Sequence, residues 1–194
     1  MVAEPNGDPC VTTVQLSATD WLDQGLKTLA QNGFTALKAE PLAKAMGVSR
    51  GSFYWHFADV GAFHAALLKR WRDTSTEQII ANLEQAADRK DPMHVLLRAA
   101  FSGRQPAELA IRTWATVDAT ARNAVQAVDK RRLSYIENLL MAGGCTPVVA
   151  QARAQILYWA FLGYTLSDKP LPKLRQAEIL DELILFASKQ TSAT

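Results

Sequence analysis

The side chains best suited to chemistry lie close together near the start of the chain, between positions 49 and 56. This short run mixes hydrogen-bond donors with flat aromatic rings that carry polar tips: Ser49, Arg50, Ser52, Tyr54, Trp55 and His56. Groups of this kind can donate to phosphate oxygens and to the edges of bases. The run therefore predicts a surface that reads a nucleic acid.

The residues around this run predict the elements that hold it. A helix over 39–46 is expected because Pro41 suits a first turn, where its missing N–H costs nothing. Gly47 suits the left-handed residue that ends a helix, and Ser49 can cap a further helix over 50–56. Two short helices joined by so tight a turn can cross steeply, as in a helix-turn-helix.

The rest of the chain predicts an all-α protein of about nine helices and no sheet. Apolar residues recur at steps of three or four, and no alternating strand pattern occurs. The longest of these stripes, on a helix capped by Asp59, is Val60, Phe63, Leu67, Trp71, Ser75, Ile79 and Leu83. We expect a flexible arm over 1–16, a three-helix domain over 17–62 and a larger helical domain over 63–194.

Composition limits the possible function classes. The net charge of +2 is too small for a general nucleic-acid coat, so contacts must come from a few well-placed groups. The two cysteines indicate no disulfide framework, and no apolar run approaches the ~18 residues of a membrane span. No signal-like start is present, and a cytoplasmic protein is expected.

The segment from Leu42 to Phe57, LAKAMGVSRGSFYWHF, resembles the DNA-binding signature of the TetR family of bacterial regulators. The resemblance implies a homodimer that places one reading helix of each subunit in the major groove of a palindromic operator. It also implies a C-terminal domain that binds a small effector, dimerises through its last two helices and releases DNA when the effector binds. Ala58 and Lys38 depart from the family pattern, in which Lys and Thr are common at these positions.

Candidate residues follow for three surfaces. The DNA-binding set is Lys38, Lys44, Ser49, Arg50, Gly51, Ser52, Tyr54, Trp55 and His56, with Trp55 equally able to pack on a neighbouring helix. The pocket for a small apolar or aromatic effector is expected among Met93, Phe101, Trp114, Tyr135, Met141, Tyr158, Trp159 and Phe161, although these could form a plain aromatic core. The dimer interface is expected at Val149, Ile156, Ala160, Ile179, Leu180, Leu183 and Phe186, although these could pack within one chain.

Other chemistry is not indicated. His56, His64 and His94 have no metal-ligand partners at suitable spacing, and we expect no metal and no cofactor. The run Asp129–Arg132 is interpreted as a solvated turn of helix, with one arginine paired to Asp118 or Asp129. No nucleophile elbow, Glu-x-x-His pair or phosphate loop occurs, so an enzyme is not expected.

The leading hypothesis is a dimeric repressor released by a small molecule. The alternative is a DNA-binding regulator without a ligand, controlled by a protein partner.

Overall fold

The computed structural model describes residues 16–86, 91–103, 105–167, 169 and 171–188, which form helices and no strand. The helices are α1 (Ala18–Asn32), α2 (Ala39–Ala45), α3 (Arg50–Tyr54), α4 (Val60–Arg72), α5 (Gln78–Ala86), α6 (Pro92–Ala100), α7 (Pro106–Ala115), α8 (Ala119–Ala142), α9 (Pro147–Leu166) and α10 (Lys173–Ser188). A π-helical turn, Asp73–Glu77, joins α4 to α5 without a break. With that run counted once, the described residues contain the expected nine helices. The predicted arm lies outside them, apart from Leu16.

Residues that the sequence predicts to cap or to end a helix are found in these roles at several helix ends. Ser17 and Asp20 form a reciprocal capping box at the start of α1, and the hydrogen bonds from Ser17 lower the pKa of the Asp20 carboxyl. Asp59 accepts from the backbone N–H of Ala62 at the start of α4, at 2.7 Å. Gly47 has φ of 69°, the left-handed conformation that favours glycine. Ser49 precedes α3 in an extended conformation, but its side chain makes no capping hydrogen bond, and this detail of the prediction was wrong.

An aromatic cluster fixes α3 to the rest of the N-terminal half. The ring of Phe53 is fully buried and lies 5.4 Å from Trp21 on α1 and 5.3 Å from Phe63 on α4, measured between ring centroids. Phe57 closes the cluster with an edge contact to Phe63 at 5.0 Å. Because only one face of α3 is used for packing, its other face is left for solvent.

The core continues across the expected domain boundary at residue 62. Trp114 of α7 stacks on Phe34 with ring centroids 4.6 Å apart and meets His64 of α4 edge-on at 5.3 Å. The Nε2 atom of His64 lies 3.0 Å from the carbonyl oxygen of Leu37, just before α2. The N-terminal half is therefore packed directly on α7.

The π turn changes the pattern of burial along the longest helical run. The predicted stripe placed Ser75 and Ile79 inward, whereas the structure buries Thr76 and Ile80 and leaves the predicted residues half-buried. A π turn adds one residue to the helical repeat, so the inward step after Trp71 is five residues instead of four. The buried face is consequently displaced by one position at Thr76 and Ile80, whereas Leu83 is buried as predicted.

The second core lies among α6, α8, α9 and α10, with the centre of α9 at its middle. Its buried members are Met93, Leu97, Ile136, Leu140, Cys145, Ala150, Ala154, Leu157, Tyr158, Phe161 and Ala187. In the described residues, no helix has both the length and the apolar character that a membrane span requires.

The close crossing of α1 and α4 generates a stability prediction at Gly25. A Cβ atom there would lie 2.6 Å from Phe63 Cζ and 2.9 Å from Leu67 Cδ1, so two buried side chains would have to move. We expect Gly25→Ala to lower the free energy of unfolding by about 1–2 kcal/mol, because overpacking outweighs the better helix propensity of alanine. Urea denaturation followed by circular dichroism measures this change.

Gly51→Ala is the matched control, since a Cβ at Gly51 meets only Ser49 Oγ, at 3.7 Å. It should leave stability unchanged or slightly raised. A Gly25→Ala protein as stable as the Gly51→Ala protein would show that α1 and α4 are less closely packed than described.

Candidate nucleic-acid interface and central cavity

The outward face of α3 carries the predicted reading residues. Trp55, at its C-terminal end, has 88% of its surface exposed, and Tyr54 is also exposed. Of the two environments considered for Trp55, the structure selects solvent over packing on a neighbouring helix. An indole left so open on a small element anchored by Phe53 is typical of a binding surface.

Arg50 and Tyr54 are held together along this face. One Nη of Arg50 donates to the hydroxyl of Tyr54 at 3.2 Å, and the guanidinium lies 5.5 Å from the centre of the tyrosine ring. The hydrogen bond to Tyr54 raises the pKa of Arg50. Both side chains are one helical turn apart, so the cation is oriented along the helix before any partner arrives.

Two further predicted DNA contacts, Lys38 and Lys44, border the same groove as Arg50 and Tyr54. An open groove of about 620 Å³ runs between α2 and α3 and is bordered by Lys38, Ala39, Glu40, Pro41, Lys44, Arg50, Tyr54 and Val60. Ser49 and Gly51 are exposed, and Ser52 and His56 are half-buried. Glu40 was not among the predicted site residues; its carboxylate reduces the positive charge of the groove.

A small cavity lies in the C-terminal half, between the π turn, α5, α6, α8 and α9. Its volume is about 90 Å³. Four of the predicted pocket residues line it, namely Phe101, Tyr135, Tyr158 and Phe161. Its polar lining was missed from sequence and consists of Ser75, Thr76, Gln105 and Arg132.

The other four predicted pocket residues lie elsewhere. Trp114 packs on the N-terminal half, and Met93 is buried in the second core without lining the cavity. Met141 is exposed on the surface of α8, and Trp159 of α9 has 63% of its surface exposed. Trp159 follows the cavity-lining Tyr158 directly, and one residue of α-helix turns a side chain by about 100°.

Four charged groups form a buried network beside the cavity. Glu108 is almost fully buried and accepts from Arg112 at 2.9 Å and from Arg132 at 2.9 and 3.0 Å. Arg112 also donates to Asp129, with distances of 2.6 and 3.2 Å, and the hydroxyl of Tyr158 donates to Asp129 at 2.6 Å. Each buried charge thus meets an opposite charge.

This arrangement corrects the interpretation of the run Asp129–Arg132 as a solvated turn. Arg132 faces inward and pairs with Glu108 of α7, while Asp129 pairs with Arg112. Asp118 instead caps α8, accepting from the N–H of Ala121 at 2.7 Å. The surface interpretation holds for Lys130, which is exposed, and for Arg131, which makes a half-exposed ion pair to Glu77.

Two groups of the network, Arg112 and Tyr158, have pKa values shifted by their surroundings. Burial opposes the charge of Arg112, but the hydrogen bond to Asp129 and the charge of Glu108 outweigh it and raise the pKa. Burial, with the hydrogen bond to Asp129, raises the pKa of Tyr158 above its ordinary value. Tyr158 therefore keeps its proton at neutral pH and acts as a donor. Among the described residues, no group of His, Cys, Asp and Glu is arranged to hold a metal ion.

An apolar strip is exposed on α9 and α10 in the part of the chain that the structure describes. Its exposed members are Val148, Ile156, Trp159, Leu166, Leu174, Ile179 and Leu185. Of the predicted interface residues, Ile156 and Ile179 belong to this strip. Val149, Leu180, Leu183 and Phe186 are half-buried against the second core of their own chain, and Ala160 is half-buried.

The fold and the exposed helix define a helical protein with an N-terminal helix-turn-helix. The sequence profile of bacterial regulatory proteins of the tetR family matches residues 22–59. The match covers 38 of the 194 residues, so it shows that the helix-turn-helix segment is similar to that family.

The HTH-type transcriptional regulator AcrR of Shigella flexneri is 36% identical over 78 residues, which cover 39% of this chain and 34% of AcrR. The match thus spans about a third of the length of that relative.

Two solved structures show the same fold. The reduced form of NemR from E. coli superposes with a TM-score of 0.69 at 21% identity, covering 88% of this chain and 94% of that one. A TetR family member from Streptomyces coelicolor A3 gives a TM-score of 0.58 at 22% identity, covering 84% and 95%.

The network predicts that substitutions of two adjacent arginines, Arg131 and Arg132, change stability by different amounts. We expect Arg132→Leu to destabilise the protein by about 3–5 kcal/mol, because it removes one member of a buried ionic cluster whose other groups stay buried. Arg131→Leu should change stability by less than about 1 kcal/mol, since its ion pair is half exposed. Thermal and urea unfolding of both variants compare the two, and equal effects would contradict the assigned burial.

Proposed function

We propose that this protein is a homodimeric transcriptional repressor that binds an operator in duplex DNA and leaves it when a small molecule occupies the central cavity. The observation that carries the proposal is the outward face of α3. It presents oriented hydrogen-bond donors and an exposed indole on a rigid aromatic base.

The chemistry of this face supports DNA as the partner. A short helix fits the major groove, where arginine can donate to guanine and the flanking groups fix the register on phosphates. In the proposed complex Arg50 reads a base edge, Lys38 and Lys44 bind the backbone, and Tyr54 and His56 contact phosphates. The low net charge makes specific contacts more important than general attraction.

The apolar strip on α9 and α10 supports a homodimer. The α9 part follows one helical face, with Val148, Ala152, Ile156, Trp159 and Gly163 at steps of three or four. A contiguous apolar face of this kind marks an interface, and a two-fold axis lets the same face cover itself. The dimer would then present two copies of α3 to a palindromic site.

The position of α7 supports communication between cavity and DNA. Its Glu108 and Arg112 belong to the network beside the cavity, and its Trp114 stacks on Phe34 of the N-terminal half. A ligand that shifts Arg132 would move Glu108, and α7 would carry that shift to α1 and α4. Allosteric coupling needs such an element with contacts at both sites.

The small size of the cavity supports a second candidate function, in which the regulator is controlled by a protein partner. At about 90 Å³ the cavity is smaller than the ~300 Å³ that is usual for a ligand pocket. A ligand must therefore be small, or must enlarge the cavity on entry.

The DNA proposal predicts a specific loss at Arg50. Duplexes selected from a random pool by the wild-type protein provide the operator. On that operator, Arg50→Ala should raise Kd by about 5- to 150-fold, equivalent to the ~1–3 kcal/mol of a base contact, with unchanged folding. Fluorescence anisotropy at fixed salt measures the affinity.

Arg175→Ala serves as the control, because Arg175 lies on α10 and pairs only with Glu178 on the surface. Its affinity should match the wild type. Failure to select any DNA sequence would refute the regulator proposal, and normal affinity of Arg50→Ala would remove Arg50 from the contact set.

The dimer proposal predicts a change in mass. Trp159→Glu puts a charge at the centre of the apolar strip, so light scattering after gel filtration should detect monomers of 21.3 kDa that bind the operator weakly. Val117→Glu, at an equally open apolar residue between α7 and α8, should leave the dimer intact. A stable Trp159→Glu dimer would exclude this face as the interface.

A further inference from the structure

The polar end of the cavity is built by the π turn and Arg132. The Nε of Arg132 donates to Thr76 Oγ1 at 2.9 Å, and one Nη donates to the backbone oxygen and the hydroxyl of Ser75, each at 3.2 Å. All three residues line the cavity.

The hydroxyls of Ser75 and Thr76 accept hydrogen bonds from the Arg132 cation. Their own protons are therefore left to donate toward the cavity. A hydroxyl has one proton and two lone pairs, and in both residues a lone pair is taken by Arg132. The positive guanidinium orients each O–H dipole away from itself. Among the described residues, neither hydroxyl donates to a protein acceptor, so this end of the cavity offers donors to a ligand.

The ionic network next to this end of the cavity disfavours charged ligands. Arg132 is neutralised by Glu108, which binds it through both carboxylate oxygens, and Arg112 is paired with Asp129. An anion would have to displace Glu108 or the hydroxyls, and a cation would face the guanidinium. Either ion would lose its hydration without gaining a free partner of opposite charge.

The remaining walls are apolar and largely aromatic. Phe101, Tyr135 and Phe161 contribute rings, and Ile79, Leu96 and Ile136 contribute aliphatic surface. The volume of about 90 Å³ lies below that of the ~150 Å³ cavity known to hold benzene, so even a ligand of one ring must enlarge the cavity as it enters.

We propose that the cavity takes a small uncharged molecule, about one ring in size, with a single hydrogen-bond acceptor such as a carbonyl oxygen. The ring lies against Phe101 and Phe161, and the acceptor receives hydrogen bonds from the hydroxyls of Ser75 and Thr76. The proposal names the class of effector and so rests on the proposed ligand-controlled function.

Four probes that share a phenyl group test the selection. Acetophenone carries an acceptor, ethylbenzene lacks one, benzoate is an anion and 1-phenylethylammonium is a cation. Isothermal calorimetry on the full chain should give acetophenone at least a tenfold lower Kd than ethylbenzene, and no binding of either ion at millimolar concentration. Tighter binding of either ion, equal binding of acetophenone and ethylbenzene, or no binding by any probe would overturn the proposal.

Variants locate the binding to the cavity. Ser75→Ala combined with Thr76→Val should remove the preference for acetophenone over ethylbenzene, while ethylbenzene still binds. Thr74→Val is the control within the same turn, because its hydroxyl donates to the carbonyl of Arg70 and does not line the cavity. If the double variant does not fold, the single variant Ser75→Ala must weaken acetophenone binding at least threefold, and an unchanged Kd would overturn the proposal.

The effect of acetophenone on operator binding distinguishes the proposed class of ligand from the proposed release of DNA by a ligand. Specific DNA binding with no probe bound would refute the ligand class and leave the DNA-binding function intact. Acetophenone bound in the cavity without any change in DNA affinity would support the ligand class and refute release by ligand.

Discussion

The guanidinium of Arg132 is the interaction on which the C-terminal half depends. It joins the π turn, through Ser75 and Thr76, to Glu108 of α7, and it lies against the rings of Trp71 and Phe161. No other described side chain contacts the π turn, Glu108 of α7, Trp71 and Phe161 together. A buried cation of this kind is costly unless all its donors are used, so the surrounding helices are constrained to the positions that satisfy it.

The constraint also explains why the two halves behave as one packed unit. Glu108 and Trp114 lie on the same short helix, the first against Arg132 and the second against Phe34. The aromatic cluster around Phe53 then connects α1 and α4 to α3. A chain of direct contacts thus runs from the cavity to α3, without a flexible linker among the elements concerned.

Local signals in the sequence predicted the elements well. Helix caps such as Ser17 and Asp59, and the left-handed Gly47, depend on neighbours within a few residues, so their roles are visible in the chain itself. The resemblance rested on the contiguous signature from Leu42 to Phe57, and the profile of bacterial regulatory proteins of the tetR family matches residues 22–59, which include it.

Non-local features were harder to predict. The π turn has no sequence signature, and it displaced the inward face from Ser75 to Thr76. Arg132 was interpreted as a surface residue because its partner Glu108 is 24 positions away in the chain. Glu108 and Arg112, one turn apart on an otherwise apolar helix, were the only local hint of buried charge. Trp159 was placed with Tyr158 although adjacent helical residues face different directions.

The distribution of tryptophans gives the molecule built-in optical reporters. Trp21, Trp71 and Trp114 are buried in the cores, whereas Trp55 and Trp159 are open to water, one on the reading helix and the other on the apolar strip. Water-exposed indoles emit at longer wavelengths and are accessible to ionic quenchers such as iodide. Quenching of the long-wavelength emission would therefore sense these two surfaces separately from the protein interior, without any added label.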